Sequence, residues 1–424
     1  MDKLNIIGKS VEKKDSLSKV LGTALFAADM ELDNMLYGAV KRSKVASAVL
    51  KNIDTSKAKA LPGVEAVLTY KDIPGDNRVG IIFKDEPILV DDEIRRVGDA
   101  LAIVAAETKE IAEEALELIE VEYEELEPIF TIEDALKEES HKIHGNTNVL
   151  QTKNLVRGDV DAAFAQCDVI VEETYKTNYF AHMFIEPEAG IAKYENGIIT
   201  FWSSTQNPHF DRGEVARMLK FPQSRVRSIQ AVTGGGFGGK LDISVQCHAA
   251  LLAYYTGRPV KFVRNREESM MVSSKRHPMT MTLKTGATKD GKILALEAHI
   301  TGDTGAYASY GPAVISRAMT HLTGPYEVPN VRMTATFAYT NNPMAGAFRG
   351  FGVPQAAIAH EGQMDLLAKK LGMDPVELRL KNALKVGSCT PTGQVLTDGV
   401  GIVETIEKAV EKAKEVIKGE GEVK

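Results

Sequence analysis

Residues 233–242 read TGGGFGGKLD, with five glycines in the six positions 234–239. No regular helix or strand favours such a run, because glycine loses more conformational freedom on ordering than any other residue. The segment must be a loop whose backbone passes close to something. Successive N–H groups in such a loop can point one way and form an anion-binding nest. Two phosphate-binding patterns overlap here. From Gly234 the string fits G-x-G-x-x-G, the dinucleotide fingerprint, and also G-x-x-x-x-G-K, most of a Walker A loop. Walker A needs a Ser or Thr hydroxyl after the lysine to ligate Mg²⁺, and Leu241 stands there. The fingerprint needs an acid about 20 residues on, where VKFV leads instead to Arg264 and Asn265. The chain then enters long alternating strands rather than a βα repeat. A stand-alone Rossmann-type nucleotide binder is therefore the weaker alternative. What survives is a glycine backbone able to approach an anionic ligand. Phe237 within it is either a core plug or a rigid wall beside a reactive centre.

The 424 residues predict two or three domains. GVEAVLTY (63–70) and ALAIVAAE (100–107) read as strands. KEIAEEALELIEVEYEEL predicts a helix with Ile111, Ala115, Leu118 and Ile119 on one face, then a strand from Val121 and Tyr123. ALKEESHKIHGNTN is polar and turn-rich. We place a first domain over 1–135, a linker over 136–148 and a second domain over 149–424. In the second, DVIVEETYKTNYF alternates as a strand does, and Asp290-Gly291 sits between two alternating runs, a hairpin signal. Helices are expected over Ser244–Tyr255 and Gln355–Leu371, from Asp374-Pro375, and at the amphipathic C-terminus with Val403, Ile406, Val410 and Ala413 in step.

A net charge of −7 opposes a nucleic-acid partner. Cys167, Cys247 and Cys389 are far apart and form no C-x-x-C, which excludes an iron–sulfur cluster, a structural zinc or a disulfide framework on this chain. The N-terminus has no signal-peptide core, and no stretch reaches the length of a membrane span. The expected location is the cytoplasm.

Five segments, the glycine loop among them, form an ordered pattern: TQNPH (205–209), GGGFGGK (234–240), TGRPVKFVRNREESM (256–270), KRHPM (275–279) and GAFRGFGVPQ (346–355). Together they resemble the molybdopterin-binding subunit of the xanthine dehydrogenase / aldehyde oxidoreductase family. LGTALFAADM, LPGVEAVLTYKDIPG and RRVGDALAIVAAE resemble that family's N-terminal α/β hammerhead domain, and MDLLAKKLGMDPVELRLKNAL a later helical signature. The implied fold is α+β: a hammerhead domain followed by the first molybdopterin-binding α+β domain. The implied cofactor is a molybdenum pterin dithiolene, expected in its cytosine dinucleotide form and with a sulfido or selenido ligand on the metal. It hydroxylates an aromatic heterocycle or an aldehyde with water-derived oxygen.

By motif match, Gln206 hydrogen-bonds an oxo-type ligand of the metal rather than the metal itself. Gly236, Phe237 and Gly238 approach the metal's apical side. Arg349 holds the pterin region, with Ala347 and Gly350 as backbone neighbours, and Phe351 stacks on the substrate. The residue chemistry agrees: an amide donates without adding charge, a guanidinium suits an anionic planar group, and an aromatic face suits a flat ring. Alone, Gln206 reads as a surface amide and Arg349 as an ion-pair partner. Glu186 and Glu188 in HMFIEPEAG invite an acid–base reading, but the segment looks structural, as do His182, His209, His277 and the core-like Cys247.

The family's general base, a Glu in G-x-G-E, belongs to a second molybdopterin domain that follows in its fused members. Gly419-x-Gly421-Glu422 matches the string, but at a terminus where chains fray, so no catalytic base is assigned to this chain. A second molybdopterin-domain subunit is expected to supply it. Partner subunits are likewise expected to carry the [2Fe-2S] clusters and FAD. Purine-oxidising members follow GGFGGK with Glu; here Leu241 takes that place, while the family's substrate arginine is kept as Arg317. A positive aromatic pocket suits an anionic flat ring. Within the family the split layout resembles enzymes that convert nicotinate to 6-hydroxynicotinate and reduce NADP⁺ through a flavin subunit. A purine or an aldehyde is the alternative substrate.

Overall fold

A computed structural model describes residues 5–420; Glu422 and its G-x-G-E string extend outside them. The first third of the chain supplies β1 (Leu36–Arg42), β2 (Val64–Leu68), β3 (Ala100–Ala106) and α1 (Lys109–Glu117). Both sequence-predicted strands are thus present. So is the helix, which buries Ala112 and Ala115 while its acids face water. Thr108 caps it by accepting from Ile111 N–H. A separate small sheet joins Ala48–Asp54 to Glu93–Ile94 and Glu120–Glu125.

The rest of the chain adds β4 (Val149–Arg157), β5 (Val169–Lys176), β6 (Ala189–Glu195), β7 (Ile198–Ser203), β8 (Val226–Gln230), α2 (Gln246–Thr256), β9 (Val260–Val263), β10 (Met279–Ala287), β11 (Ile293–Gly305), α3 (Gly311–Thr320), β12 (Asn330–Tyr339), α4 (Val353–Leu371), α5 (Pro375–Asn382) and α6 (Ile402–Glu420). Five strands form one sheet in the order β5-β10-β11-β12-β4. Its hairpin turns at Asp290-Gly291, where Gly291 adopts φ +87°. Alternation does its usual work: Met279, Met281, Leu283, Ile300, Met333 and Phe337 point inward and are covered by α3 and α4. Helix α4 ends at Gly372 in the left-handed region, and Asp374 caps α5 through Val376 and Glu377 N–H.

The other large sheet has seven strands, in the order β8-β7-β6-β9-β1-β3-β2. It takes strands from both sides of residues 136–148. Leu36 pairs in parallel with Val260, and β1 is antiparallel to β3. The almost wholly apolar α2 packs into this sheet's core with Phe201, Ile199 and Leu36. Residues 136–148 are polar, yet they are pinned: Ile143 is buried, its carbonyl accepts from Arg95 Nε at 2.8 Å, and the buried Asn148 amide bonds Ala135 and His141 carbonyls. The strand β8 before the glycine loop is a sheet edge, in a sheet of mixed direction. That is not the central parallel strand of a Rossmann half, so the nucleotide-binder alternative fails on topology. Among the described residues, no helix is long and apolar enough to cross a membrane.

Candidate active site

The loop 234–239 leaves the end of β8 and is anchored from below by Glu186. One carboxylate oxygen, Oε2, accepts from Gly234 N–H at 2.6 Å, Ser204 Oγ at 2.7 Å and Lys240 Nζ at 2.8 Å. Lys240 is fully buried, 4.7 Å from the Phe184 ring centre. Glu186 was expected to be structural, and this is what it does structurally: it ties both ends of the glycine loop to one point. Burying such a pair is costly unless its polar atoms are matched; Lys240 Nζ bonds Glu186 Oε2 and Ser204 Oγ, while Glu186 Oε1 is left without a partner among the described residues. Glu188 pairs beside it with Arg264 at 3.0 Å.

From above, the loop closes on Gln206. The side-chain carbonyl of Gln206 accepts from Gly238 N–H at 2.9 Å and Lys240 N–H at 3.4 Å. That fixes which end of the amide is which: the NH₂ end is turned away from the loop, toward the exposed face on which Gln206 lies. A Cβ at Gly236 would overlap the Gln206 amide, so glycine is required there by close approach. Gly238 has φ +108°, and a Cβ would overlap the Ala347 carbonyl. Phe237 itself stands at φ +53° with nearly half its side chain exposed (46%). It is therefore no core plug. Among the described residues, the N–H groups of Gly235, Gly236 and Phe237 meet no acceptor, while φ changes sign from Gly235 (+93°) to Gly236 and back at Phe237. That is a nest geometry suited to an anion.

The second loop, 345–352, is bonded to the first. Arg349 N–H donates to the Phe237 carbonyl at 2.8 Å. The Ala347 carbonyl accepts from His182 Nε2 at 2.8 Å, and the His182 ring stacks on Phe348 at 4.1 Å. Burial lowers the His182 pKa to about 4, so the ring is neutral and serves as a prop. The side chain of Arg349 is exposed, as is Gly350. Beyond it Phe351, at φ +52°, meets the Tyr310 ring edge-to-face at 5.5 Å. Tyr310 is the residue immediately before α3, and the loop lies against that helix at Gly352. Arg317 is exposed on the same helix and makes no ion pair or side-chain hydrogen bond among the described residues. Positions 310, 313 and 317 follow helical spacing, so Tyr310, Ala313 and Arg317 form one accessible stripe beside Phe351.

The structure thus gathers Gln206, Gly236, Phe237, Gly238, Ala347, Arg349 and Gly350 around two mutually bonded loops, with Leu241, Phe351 and Arg317 alongside. Three participants escaped the sequence reading. Tyr310 carried no motif. Glu186 was visible only as one of two acids. Asp242, whose carboxylate accepts from Ser309 Oγ at 2.8 and 3.0 Å, sits two residues past the glycine–lysine motif. His277 is buried and its pKa is lowered to about 3 by desolvation, as a structural histidine's should be; burial pushes the Cys247 thiol well up.

The donor set fits an anionic, planar cofactor: three free N–H groups, an oriented amide and an exposed guanidinium. Among the described residues, no group of three or more His, Cys, Asp or Glu could hold a metal ion.

Comparison with known proteins agrees with this geometry. The molybdopterin cofactor-binding domain model matches residues 140–383, and the aldehyde oxidase and xanthine dehydrogenase a/b hammerhead model matches residues 21–127. The nicotinate dehydrogenase large molybdopterin subunit of Eubacterium barkeri is 63% identical over 413 residues, 97% of each chain. The aldehyde oxidoreductase structure from Desulfovibrio gigas superposes with a TM-score of 0.92 at 33% identity, over 95% of this chain and 46% of that one. Quinoline 2-oxidoreductase from Pseudomonas putida 86 gives 0.90 at 29% identity, over 98% of this chain and 55% of that one. The chain spans about half the length of these solved structures and nearly all of the Eubacterium subunit. On the two family models and the 63% identical relative, the chain belongs to the xanthine dehydrogenase / aldehyde oxidoreductase family of molybdenum hydroxylases.

Proposed function

We propose that this chain is the cofactor-binding part of a multi-subunit enzyme that hydroxylates nicotinate to 6-hydroxynicotinate. The observation that carries this reading is the 63% identity to a nicotinate dehydrogenase subunit over 97% of both chains. The free Arg317 beside an aromatic pair supports it. In the net reaction, nicotinate and water give the 6-hydroxy product, two electrons and two protons. When bound, the molybdenum cofactor supplies oxygen transfer from water and takes up the electron pair.

This chain's residues bind and orient. The nest at Gly235–Phe237 and the Arg349 guanidinium take the anionic parts of the cofactor. The Gln206 NH₂ donates to an oxygen ligand without bringing charge. Phe237 walls the site and limits water. Phe351 stacks with the ring, and Arg317 pairs with the carboxylate, worth about 1.5–3 kcal/mol as a charge-assisted bond. Leu241 offers nothing to a purine's extra polar edge.

A second molybdopterin-domain chain would cover the exposed face and bring the general base. Separate iron–sulfur and flavin chains would carry electrons to NADP⁺. The cytosine dinucleotide tail and a selenido or sulfido ligand belong to the same reading. The test is metal, pterin and substrate analysis of the purified complex. Molybdenum, pterin, iron and nicotinate-dependent NADP⁺ reduction are expected. Turnover of xanthine or an aldehyde with none of nicotinate would move the chain to another branch of the family.

A further inference from the structure

One bond joins the cofactor side of the site to its substrate side. Ser309 Oγ donates to both oxygens of Asp242. Asp242 is four residues past Gly238 on the glycine-loop strand of chain. Ser309 is the residue before Tyr310, where α3 begins. Both are buried. The third wall meets the same spot: a Cβ on Gly346, at the root of the Ala347–Arg349 loop, would fall 2.7 Å from Ser309 Oγ and 3.1 Å from Asp242 Oδ2. Three segments of the site therefore converge on this hydrogen bond.

Ser309 needs holding. It has φ +40°, a left-handed conformation unusual for a residue with a side chain, and such strain persists only where surroundings over-determine it. Two carboxylates do so: Asp242 takes the hydroxyl, and Asp85 takes the preceding Ala308 N–H at 2.8 Å. Burial, with the neighbouring Asp85 charge, pushes the Asp242 carboxyl up to about 6, against the Ser309 hydrogen bond and the Arg96 charge, so at neutral pH it is mostly the accepting anion. Beside it lies a partly open cavity of about 50 Å³ whose lining includes Arg42, Glu86, Arg96, Glu188 and Arg264 together with Asp242 itself.

We infer that Asp242 is a positioning residue for the substrate: through Ser309 it sets the first turn of α3, and with it Tyr310 and Arg317, relative to the glycine loop. It touches neither substrate nor cofactor. The inference rests on the nicotinate reading only for its kinetic arm.

The test compares Asp242→Ala, Asp242→Asn, Ser309→Ala and the Asp242→Ala/Ser309→Ala double variant in the whole complex. Asp242→Ala and Ser309→Ala should each raise KM for nicotinate about tenfold with little change in kcat, because orientation rather than chemistry is lost. Asp242→Asn, which keeps an acceptor, should stay near wild type. The double variant should be no worse than either single one, as expected for two partners of one bond. Amide exchange gives a readout without turnover: residues 308–313 should exchange faster in both single variants. Ser309→Ala keeps its Cβ and leaves the fold intact should Asp242→Ala destabilise it. An unchanged KM and unchanged exchange in Ser309→Ala, or additive losses in the double variant, would overturn the inference. If wild-type complex neither binds nor converts nicotinate, it is the substrate reading that fails, and the exchange experiment still decides the positioning role.

Discussion

At the residue scale, what the sequence displayed was chemistry on loops, and what it concealed was support. Gln206, Phe237, Arg349 and Phe351 stand in short motifs that could be matched as strings, although the bonds that place Gln206 and Arg349 also reach across the chain. Glu186 and Asp242 act across 48 and 67 residues of chain, and nothing local marks an acid for such a task. Two predictions belong here. Arg317→Met should raise KM for nicotinate about 10- to 100-fold at nearly constant kcat, the loss of one charge-assisted pair; steady-state kinetics on the complex checks it, and an unaltered KM removes Arg317 from the carboxylate. Gly238→Ala places a side chain at φ +108° against the Ala347 carbonyl. Left-handed strain of about 1–3 kcal/mol should cut molybdenum content about tenfold or more while leaving the circular dichroism spectrum unchanged.

At the element scale, legibility followed periodicity. The β10–β11 hairpin was readable because inward and outward residues alternate on both strands and a glycine marks the turn. Helices α1, α2, α4 and α5 were readable from their faces and caps. α6 shows the limit of the method: its apolar stripe is real in sequence, yet Ile402, Val403, Ile406 and Val410 are only half-buried and Ala413 is exposed. A moment along one helix does not say what covers it. The order of strands was also beyond reach, since pairing Leu36 with Val260 leaves no trace in either segment. The prediction at this scale concerns the turn. Gly291→Ala at φ +87°, with its Cβ 2.9 Å from Met373, should cost about 1–2 kcal/mol, read as a lower denaturation midpoint. A midpoint equal to wild type would mean that the turn relaxes freely.

At the scale of the whole molecule, buried titratable groups set how stability depends on pH. Burial raises Glu86 and Asp211 to about 7 and Asp242 to about 6. Between their unfolded and folded values the native state holds protons that the unfolded chain has released, so stability grows as pH falls from 8 toward 6. Burial lowers His144 and His182 to about 4 and His248 and His277 to about 3. Below the unfolded histidine value of about 6.5 the unfolded chain gains protons that the native state refuses, and stability is lost. The four histidines outweigh the three carboxyls below the point where the two sets balance, so Tm should be highest at about pH 6.5–7, and Glu86→Gln should flatten the alkaline side. A wild-type Tm no lower at pH 5 than at pH 7 contradicts the assignment. The seven-stranded sheet has another consequence, felt during synthesis. β1, β2 and β3 leave the ribosome well before β9, and the edge of β1 finds its partner only when β9, more than 200 residues later, has emerged. For that interval the nascent chain offers an open strand edge, the kind of surface on which other chains pair, and a chaperone bound to the N-terminal third would shield it until residue 263 is out.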